Sequence, residues 1–299
     1  MNQLKLKDIH KILILGSGTL GLRVALQCAI SGFDTFLFDI SQTSLETARK
    51  AQEKLLRSLV KSKTVNDCNF EDILDRITYT TDADIAAKDT DFVNESVTEN
   101  LEIKKQVWKQ FGKLCPSHTI FTTNSSFLLP SQYCDDSGSP ERFCAFHFHD
   151  VFTAKVVDIM PHQTTATWIP ELLYQLGVKL NQIPVHIKKE SNGYLFNYML
   201  MNILTSASDL LLKQIGSIQD IDRSFMGNFG LPLGPFGMMD QVGLDTALHI
   251  AHNNDTPQSK KFASLLEPLV NAGKLGVKSG KGFYQYPNPE YSQADFLKP

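Results

Sequence analysis

The sequence predicts an α/β fold: a Rossmann-type doubly wound sheet followed by an all-α C-terminal domain. Three observations predict it. Short apolar runs alternate with longer amphipathic stretches through the first half. A G-x-G-x-x-G motif sits at the first junction between the two patterns. Beyond about residue 188 the strand-like runs stop and helical periodicity takes over.

In chain order, KILIL (11–15) reads as a strand, 20–31 as a helix and DTFLF (34–38) as the next strand. A long amphipathic helix follows at about 42–60. DFVNESV (91–97) is a strand, 100–112 a helix and HTIFTTN (118–124) a further strand. RFCAFHFHDV (142–151) and KVVDIM (155–160) are two apolar runs with a short break between them, read as the last strands of the sheet. After KKESNG (188–193) the stretch YLFNYMLMNILTSASDLLL is apolar on nearly every helical face, as expected of a buried helix. The expected division is therefore 1–188 for the nucleotide-binding domain and 189–299 for the helical one.

The 299 residues suffice for a core that needs no staples. Hydrophobic residues make up 42% and charged residues 20%, with a formal net charge of -3. So weak a bias gives no electrostatic case for nucleic acid or for an anionic membrane surface. The five cysteines are scattered and contain no CxxC pair, which is neither a disulfide framework nor a zinc site and suits a reducing compartment. With no signal-peptide core and no apolar run of membrane-spanning length, a cytoplasmic protein is expected.

Gly16, Gly18 and Gly21, with Thr19 and Leu20 between the last two, directly follow a strand and open a helix. The first glycine allows the tight turn, the second lets backbone approach a pyrophosphate, and the third lets helix pack on strand. The helix N-terminus adds N–H groups and partial positive charge. Asp39 ends the next strand, where a carboxylate meets a ribose 2′-hydroxyl and repels a 2′-phosphate. The expected cofactor is NAD rather than NADP.

His147 ends an apolar run and Asp158 lies in the next one. On neighbouring strands the carboxylate would orient the imidazole, an arrangement suited to taking a hydroxyl proton while hydride leaves. An ordinary structural hydrogen-bonded pair has the same residues. Ser126 can bond a substrate oxygen or cap a helix, and Asn197 can bond substrate or a core partner. His149 shares a strand face with His147, and His249 and His252 are three apart, but neither pair has a third ligand at a sensible spacing. No metal is expected.

At this point the chain resembles the L-3-hydroxyacyl-CoA dehydrogenase family, over essentially its whole length. ILGSGTLGLRVA…LFDIS is similar to the family's nucleotide-binding opening, and DFVNESVTENLEIKK to its D-x-V-x-E-x-V-x-E-N-L-x-x-K-K segment. TNSSFL resembles SNTSSL, and SNGYLFNYML resembles PGFIVNRLL. GLPLGPFGMMDQVGLDT and GKLGVKSGKGFYQYP resemble its C-terminal signatures. The resemblance implies His147 as general acid/base, Asp158 as its carboxylate, and Ser126 and Asn197 as partners of the substrate oxygen. It places Glu99, Lys104 and Asn124 by the nicotinamide end of NAD. It further implies an (S)-3-hydroxyacyl-CoA substrate held in a cleft between domains, and a homodimer formed mainly through the helical domain.

Departures cluster after His147. The family reads HFFNP where this chain reads HFHDV, so Asp150 stands in place of an asparagine. The family's carboxylate is a glutamate twelve residues after the histidine, whereas Asp158 is eleven after and shorter by about 1.5 Å of reach. One deletion in the connecting loop would preserve strand register. Tyr198 replaces an arginine, NGY (192–194) a PGF, and Gly237 a glutamate. Lys50, Lys54, Arg57 and Lys61 would meet CoA phosphates or, more simply, form a solvated helix face. Two other functions fit the same residues: a dehydrogenase of a non-CoA hydroxy acid, and a weakly active NAD-binding structural or sensing protein.

Overall fold

The computed structural model describes residues 3–65, 69–252 and 256–298, so Cys68 lies outside the described residues. The chain divides into two compact units, 1–195 and 196–299. The segment from 189 to 195, assigned by periodicity to the helical part, belongs to the first unit. Tyr194 is buried there, and its hydroxyl donates to the Ser125 carbonyl at 2.7 Å.

In the first unit, β1 (Lys11–Leu15), α1 (Thr19–Ile30), β2 (Asp34–Phe38), α2 (Gln42–Lys61), α3 (Phe70–Asp75), β3 (Ile77–Thr80) and α4 (Ala83–Ala87) form the first half of the sheet and its cover. The second half comprises β4 (Phe92–Glu95), α5 (Leu101–Leu114), β5 (Ile120–Thr123), β6 (Phe143–Phe148), β7 (Val156–Pro161), α6 (Ile169–Lys179) and β8 (Ile183–His186). The eight strands run in the order β3-β2-β1-β4-β5-β6-β7-β8, parallel throughout except for the antiparallel pair β6–β7.

The central strands are apolar runs because helices cover both faces of a parallel sheet; four of the five residues of β1 and all of β4, β5 and β6 are buried. Side chains fix the starts of α2, α4 and α5: the Ser41 hydroxyl accepts from the Ser44 N–H at 3.2 Å, Asp82 Oδ1 from the Asp84 and Ile85 N–H groups, and Asn100 Oδ1 from the Ile103 N–H at 3.1 Å. On one face Trp108 of α5 packs edge-on against Phe143 and Phe121.

The sheet does not end at β7 as the sequence suggested. After α6 the chain returns as β8, parallel to β7. This strand carries Pro184 and is only partly covered, so it lacks the apolar run that marks a central strand. At the opposite edge β3, ITYT, is missed for the same reason.

The second unit contains α7 (Phe196–Leu212), α8 (Ile218–Phe229), α9 (Pro235–Val242), α10 (Leu244–His252) and α11 (Pro257–Asn271), around a core that includes Phe236, Met239, Phe262, Leu266 and Tyr284. The expected burial of the first helix is corrected within this unit. Only Leu204, Ala207 and Ser208 of α7 are buried, while Phe196, Tyr198, Met199 and Leu212 are exposed. Its all-round apolarity leaves an uncovered face. Two buried aspartates tie the helices to the C-terminal segment. Asp222 accepts from the Phe236 and Gly237 N–H groups and from the Tyr284 hydroxyl, and Asp240 from the Phe283 and Tyr284 N–H groups and the Tyr286 hydroxyl.

Candidate active site

The sheet reverses its winding direction between β1 and β4, and ligands of doubly wound sheets bind outside the carboxyl ends of strands at such a point. The glycine loop leaves β1 there. Gly16 has φ +96°, and a Cβ on it would stand 2.7 Å from the Ser96 carbonyl oxygen; a Cβ on Gly21 would stand 2.0 Å from the Gly16 oxygen. Nothing lies within 4 Å of the corresponding point on Gly18, which therefore faces open space. Gly18 starts α1 without a side-chain cap, and Thr19, Leu20 and Gly21 form its first turn, whose N–H groups have no partner within the helix. Free N–H groups at a helix N-terminus can hold a phosphate. Asp39, just past β2, reaches the same loop: its Oδ2 accepts from the Ser17 N–H at 2.9 Å and from the Ser17 hydroxyl at 2.7 Å. The loop and carboxylate fit a dinucleotide with a free ribose hydroxyl.

Beyond β4, the three residues expected together are brought together in part. Glu99 accepts from the Phe127 and Leu128 N–H groups at 3.0 and 3.1 Å and from the Ser125 hydroxyl. Burial pushes its carboxyl up, but Lys104 and these donors outweigh it and hold it below the usual carboxylate value. Lys104 is itself buried, 3.5 Å from Glu99 and 2.7 Å from Glu95. Glu95 was not singled out from the sequence, where a lone glutamate inside an apolar run gives no sign of its partner. Asn124 bridges two strand ends: its Nδ2 donates to the Ser96 hydroxyl at 3.1 Å and its Oδ1 accepts from the Phe148 N–H at 2.7 Å. Ser96, the residue under Gly16, thus links the glycine loop to the end of β6.

His147 stands at that end, 3% exposed. Its register partner on β7 is Asp158, directly opposite, so the eleven-residue separation keeps the strand register. Nδ1 lies 3.2 Å from Asp158 Oδ2, and Nε2 lies 3.1 Å from the Ser126 hydroxyl. The Tyr194 ring stacks on the imidazole, with planes 4° apart and centroids 4.5 Å apart. Burial lowers the proton affinity of His147 below the ordinary value, only partly opposed by the bond to Asp158. Burial raises that of Asp158, but the bonds from His147 and His149 outweigh it and hold the carboxyl low. The pair is therefore a carboxylate and a neutral imidazole at neutral pH. Its contact is a hydrogen bond.

Three residues around this pair carry interactions the sequence did not reveal. His149 Nε2 lies 2.7 Å from the same Oδ2 of Asp158. The strand register thus supplies the third group that spacing hid, and the side-chain donor atoms of His147, His149 and Asp158 lie within 4.8 Å of one another. Asp150 accepts from the Phe152 and Thr153 N–H groups and forms an ion pair with Arg23 of α1, both carboxylate oxygens at 3.1 Å from Nη2. Asp150 therefore pins the turn after β6 to the first helix. Tyr194, at φ +55°, was noted only as part of NGY.

The remaining candidates belong to other elements. Asn197 is half-buried near the start of α7 in the second unit. His252 meets Glu267 at 3.0 Å. Lys50, Lys54, Arg57 and Lys61 are exposed on α2.

An open glycine turn at a helix N-terminus, a carboxylate bound to that turn and a buried histidine–carboxylate pair within one unit fit one class: an NAD-dependent oxidoreductase. Residues 11–191 match the NAD-binding domain of 3-hydroxyacyl-CoA dehydrogenase, and residues 193–286 match its C-terminal domain. The chain belongs to the 3-hydroxyacyl-CoA dehydrogenase family. It is 31% identical over 289 residues to the mitochondrial hydroxyacyl-coenzyme A dehydrogenase of Sus scrofa, covering 93% of this chain and 91% of that one. It is 29% identical over 280 residues to a 3-hydroxybutyryl-CoA dehydrogenase of Clostridioides difficile, covering 92% and 99%. Among solved structures it superposes on a diketoreductase described in the dual catalysis of dicarbonyl compounds, with TM-score 0.86, 33% identity and coverage of 96% and 100%.

Proposed function

We propose that this chain interconverts an (S)-3-hydroxyacyl-CoA and the 3-ketoacyl-CoA with NAD, using His147 as the acid/base. The observation that carries the reading is the geometry of His147: one nitrogen faces a buried carboxylate and the other the Ser126 hydroxyl. Bound at the glycine loop, NAD supplies the hydride acceptor. In oxidation the Nε2 lone pair of His147 takes the substrate hydroxyl proton, and Asp158 stabilises the imidazolium that results. Ser126 shares a hydrogen bond with the substrate oxygen. In reduction the imidazolium returns the proton. Asn197 is proposed as a second partner of that oxygen by its place in the family motif. Glu99, Lys104 and Asn124 are proposed to shape the nicotinamide end; the Glu99–Lys104 ion pair and the bonds of Asn124 to Ser96 and Phe148 support a rigid strand-end platform there.

The test is reduction of acetoacetyl-CoA and longer 3-ketoacyl-CoAs by NADH, with NADPH in parallel. NADH binding without turnover of any member would sink the CoA reading, and equal use of NADPH would sink the role of Asp39. The diketoreductase likeness favours one further reading, a dicarbonyl substrate without CoA, tested by adding free dicarbonyl compounds to the same panel.

We further propose a homodimer through the helical unit. Ile215, Phe229, Tyr198 and Met199 are 66%, 69%, 60% and 57% exposed, and an apolar groove between α7 and α8 is lined by Ile203, Leu210, Ile215 and Phe225. An apolar groove flanked by exposed apolar side chains such as Ile215 and Phe229 supports an interaction site. Light scattering of the protein and of Phe229→Lys tests it, a monomer in both overturning it. A cytoplasmic location is proposed too. Cys28, Cys115, Cys134 and Cys144 are unpaired, and no helix among the described residues is long and apolar enough to cross a membrane.

A further inference from the structure

The carboxylate that orients His147 is held more tightly by another residue. Asp158 Oδ2 lies 3.2 Å from His147 Nδ1, at the long end of the N–H···O range, and 2.7 Å from His149 Nε2, near its short end. Both imidazoles point at the same oxygen. Since an ionised carboxylate only accepts, each facing ring nitrogen carries the hydrogen. His147 Nε2 is left as the acceptor of the Ser126 hydroxyl.

Register explains the arrangement. Asp158 is directly opposite His147 in the antiparallel pair, and the pairing continues to His149, whose N–H donates to the Val156 carbonyl at 3.1 Å. His149 is therefore the diagonal neighbour of Asp158 on the same sheet face, a position long side chains can span. The two rings are edge to face, with centroids 4.7 Å apart.

The aspartate has a single methylene with which to place its carboxylate. Its side chain is 2% exposed, so solvent does not fix its rotamer. Without a second donor the 3.2 Å contact would be its only side-chain hydrogen bond of those described around it. We propose that His149 is a positioning residue: it holds Asp158 in the rotamer that orients His147, making His147, Asp158 and His149 one acid/base assembly. This rests on His147 being the acid/base.

The experiment measures kcat and KM for acetoacetyl-CoA reduction, the Kd of NADH, and the thermal midpoint for a set of variants. His149→Phe removes the donor and keeps a ring, while His149→Gln returns an N–H at a similar reach. Asp158→Glu, alone and combined with His149→Phe, lengthens the carboxylate so that it needs no second hold. His149→Phe is expected to lower kcat about ten-fold, part of the 10²–10⁴ that acid–base catalysis contributes. NADH Kd should stay within about two-fold, because the described side-chain bond of this residue goes to Asp158 and not to the glycine loop. His149→Gln should recover most of the lost kcat, and Asp158→Glu should restore turnover in the His149→Phe background. A wild-type kcat in His149→Phe overturns the proposal, as does a His149→Gln as impaired as His149→Phe. Where His149→Phe does not fold, His149→Gln against His149→Asn decides, since the shorter amide cannot reach. His147→Gln, run in parallel, separates the two readings: if it keeps turnover, the acid/base assignment itself has failed.

Discussion

Buried aspartates occur in both units of this protein, and they are treated in opposite ways. Asp158 sits between two imidazoles, whose bonds hold its carboxyl below the usual range. Asp222 and Asp240 sit among backbone N–H groups and tyrosine hydroxyls. There burial wins over all the donors, and both carboxyls are pushed up. The difference lies in the partners. An imidazole gains a proton and becomes a counter-ion, whereas an amide or a phenol offers only a fixed dipole. The first arrangement suits moving a proton; the second suits fastening α8, α9 and the C-terminal segment together.

The strongest way to break this comparison is to remove the groups said to do chemistry. His147→Gln should lower turnover by about 10²–10⁴ with little change in NADH affinity. Equal losses in both would place His147 in binding. Asp222→Ala should instead unfold the protein more easily with turnover per folded molecule retained. It leaves two N–H groups and a hydroxyl buried without their acceptor, at about 1–3 kcal/mol for each group left unpaired. Denaturant titration checks it, and an unchanged midpoint would refute the fastening role.

A smaller effect is expected in the pH dependence of the two directions. Reduction needs His147 protonated, and its proton affinity lies below the ordinary 6.5. The kcat/KM for reduction should therefore still be rising as pH falls below 6.5, while oxidation holds level down to that region. A reduction midpoint above 6.5 would mean that Asp158 outweighs burial.

The smallest effect is on stability. A carboxyl raised in the folded state binds its proton more tightly than in the unfolded chain, where the value is 3.8. Its contribution is full below 3.8 and is lost as pH rises through the folded value. Asp222 and Asp240 should thus favour folding on mild acidification. Asp158, lowered, contributes above 3.8 and loses this as pH falls through its folded value. Asp240→Asn should flatten the acid-side gain measured by thermal unfolding at stepped pH.

The elements legible in the sequence were those whose local pattern carries their environment. KILIL, the glycine turn and DTFLF announce themselves because a parallel strand buried on both faces must be apolar, and a close backbone approach excludes a Cβ. The edge strands β3 and β8 were missed because half-solvated strands carry no such run. The apolar stretch in α7 was read as burial because composition cannot say whether a neighbouring helix or a second molecule covers it.

His147 and Asp158 could be paired from spacing and resemblance, but Glu95 under Lys104, Arg23 against Asp150 and His149 against Asp158 could not. Arg23 and Asp150 are far apart in sequence, His149 and Asp158 are diagonal across strands, and Lys104 reaches back from a helix to the strand before it. What the sequence by itself determined was the nucleotide cradle and the set of polar side chains at the strand ends, since periodicity and glycine placement are local. Which of two histidines holds the carboxylate more closely, and which aspartates have their proton affinity raised or lowered, only the tertiary structure decided. Register and burial set distances and dielectric surroundings that no local pattern encodes.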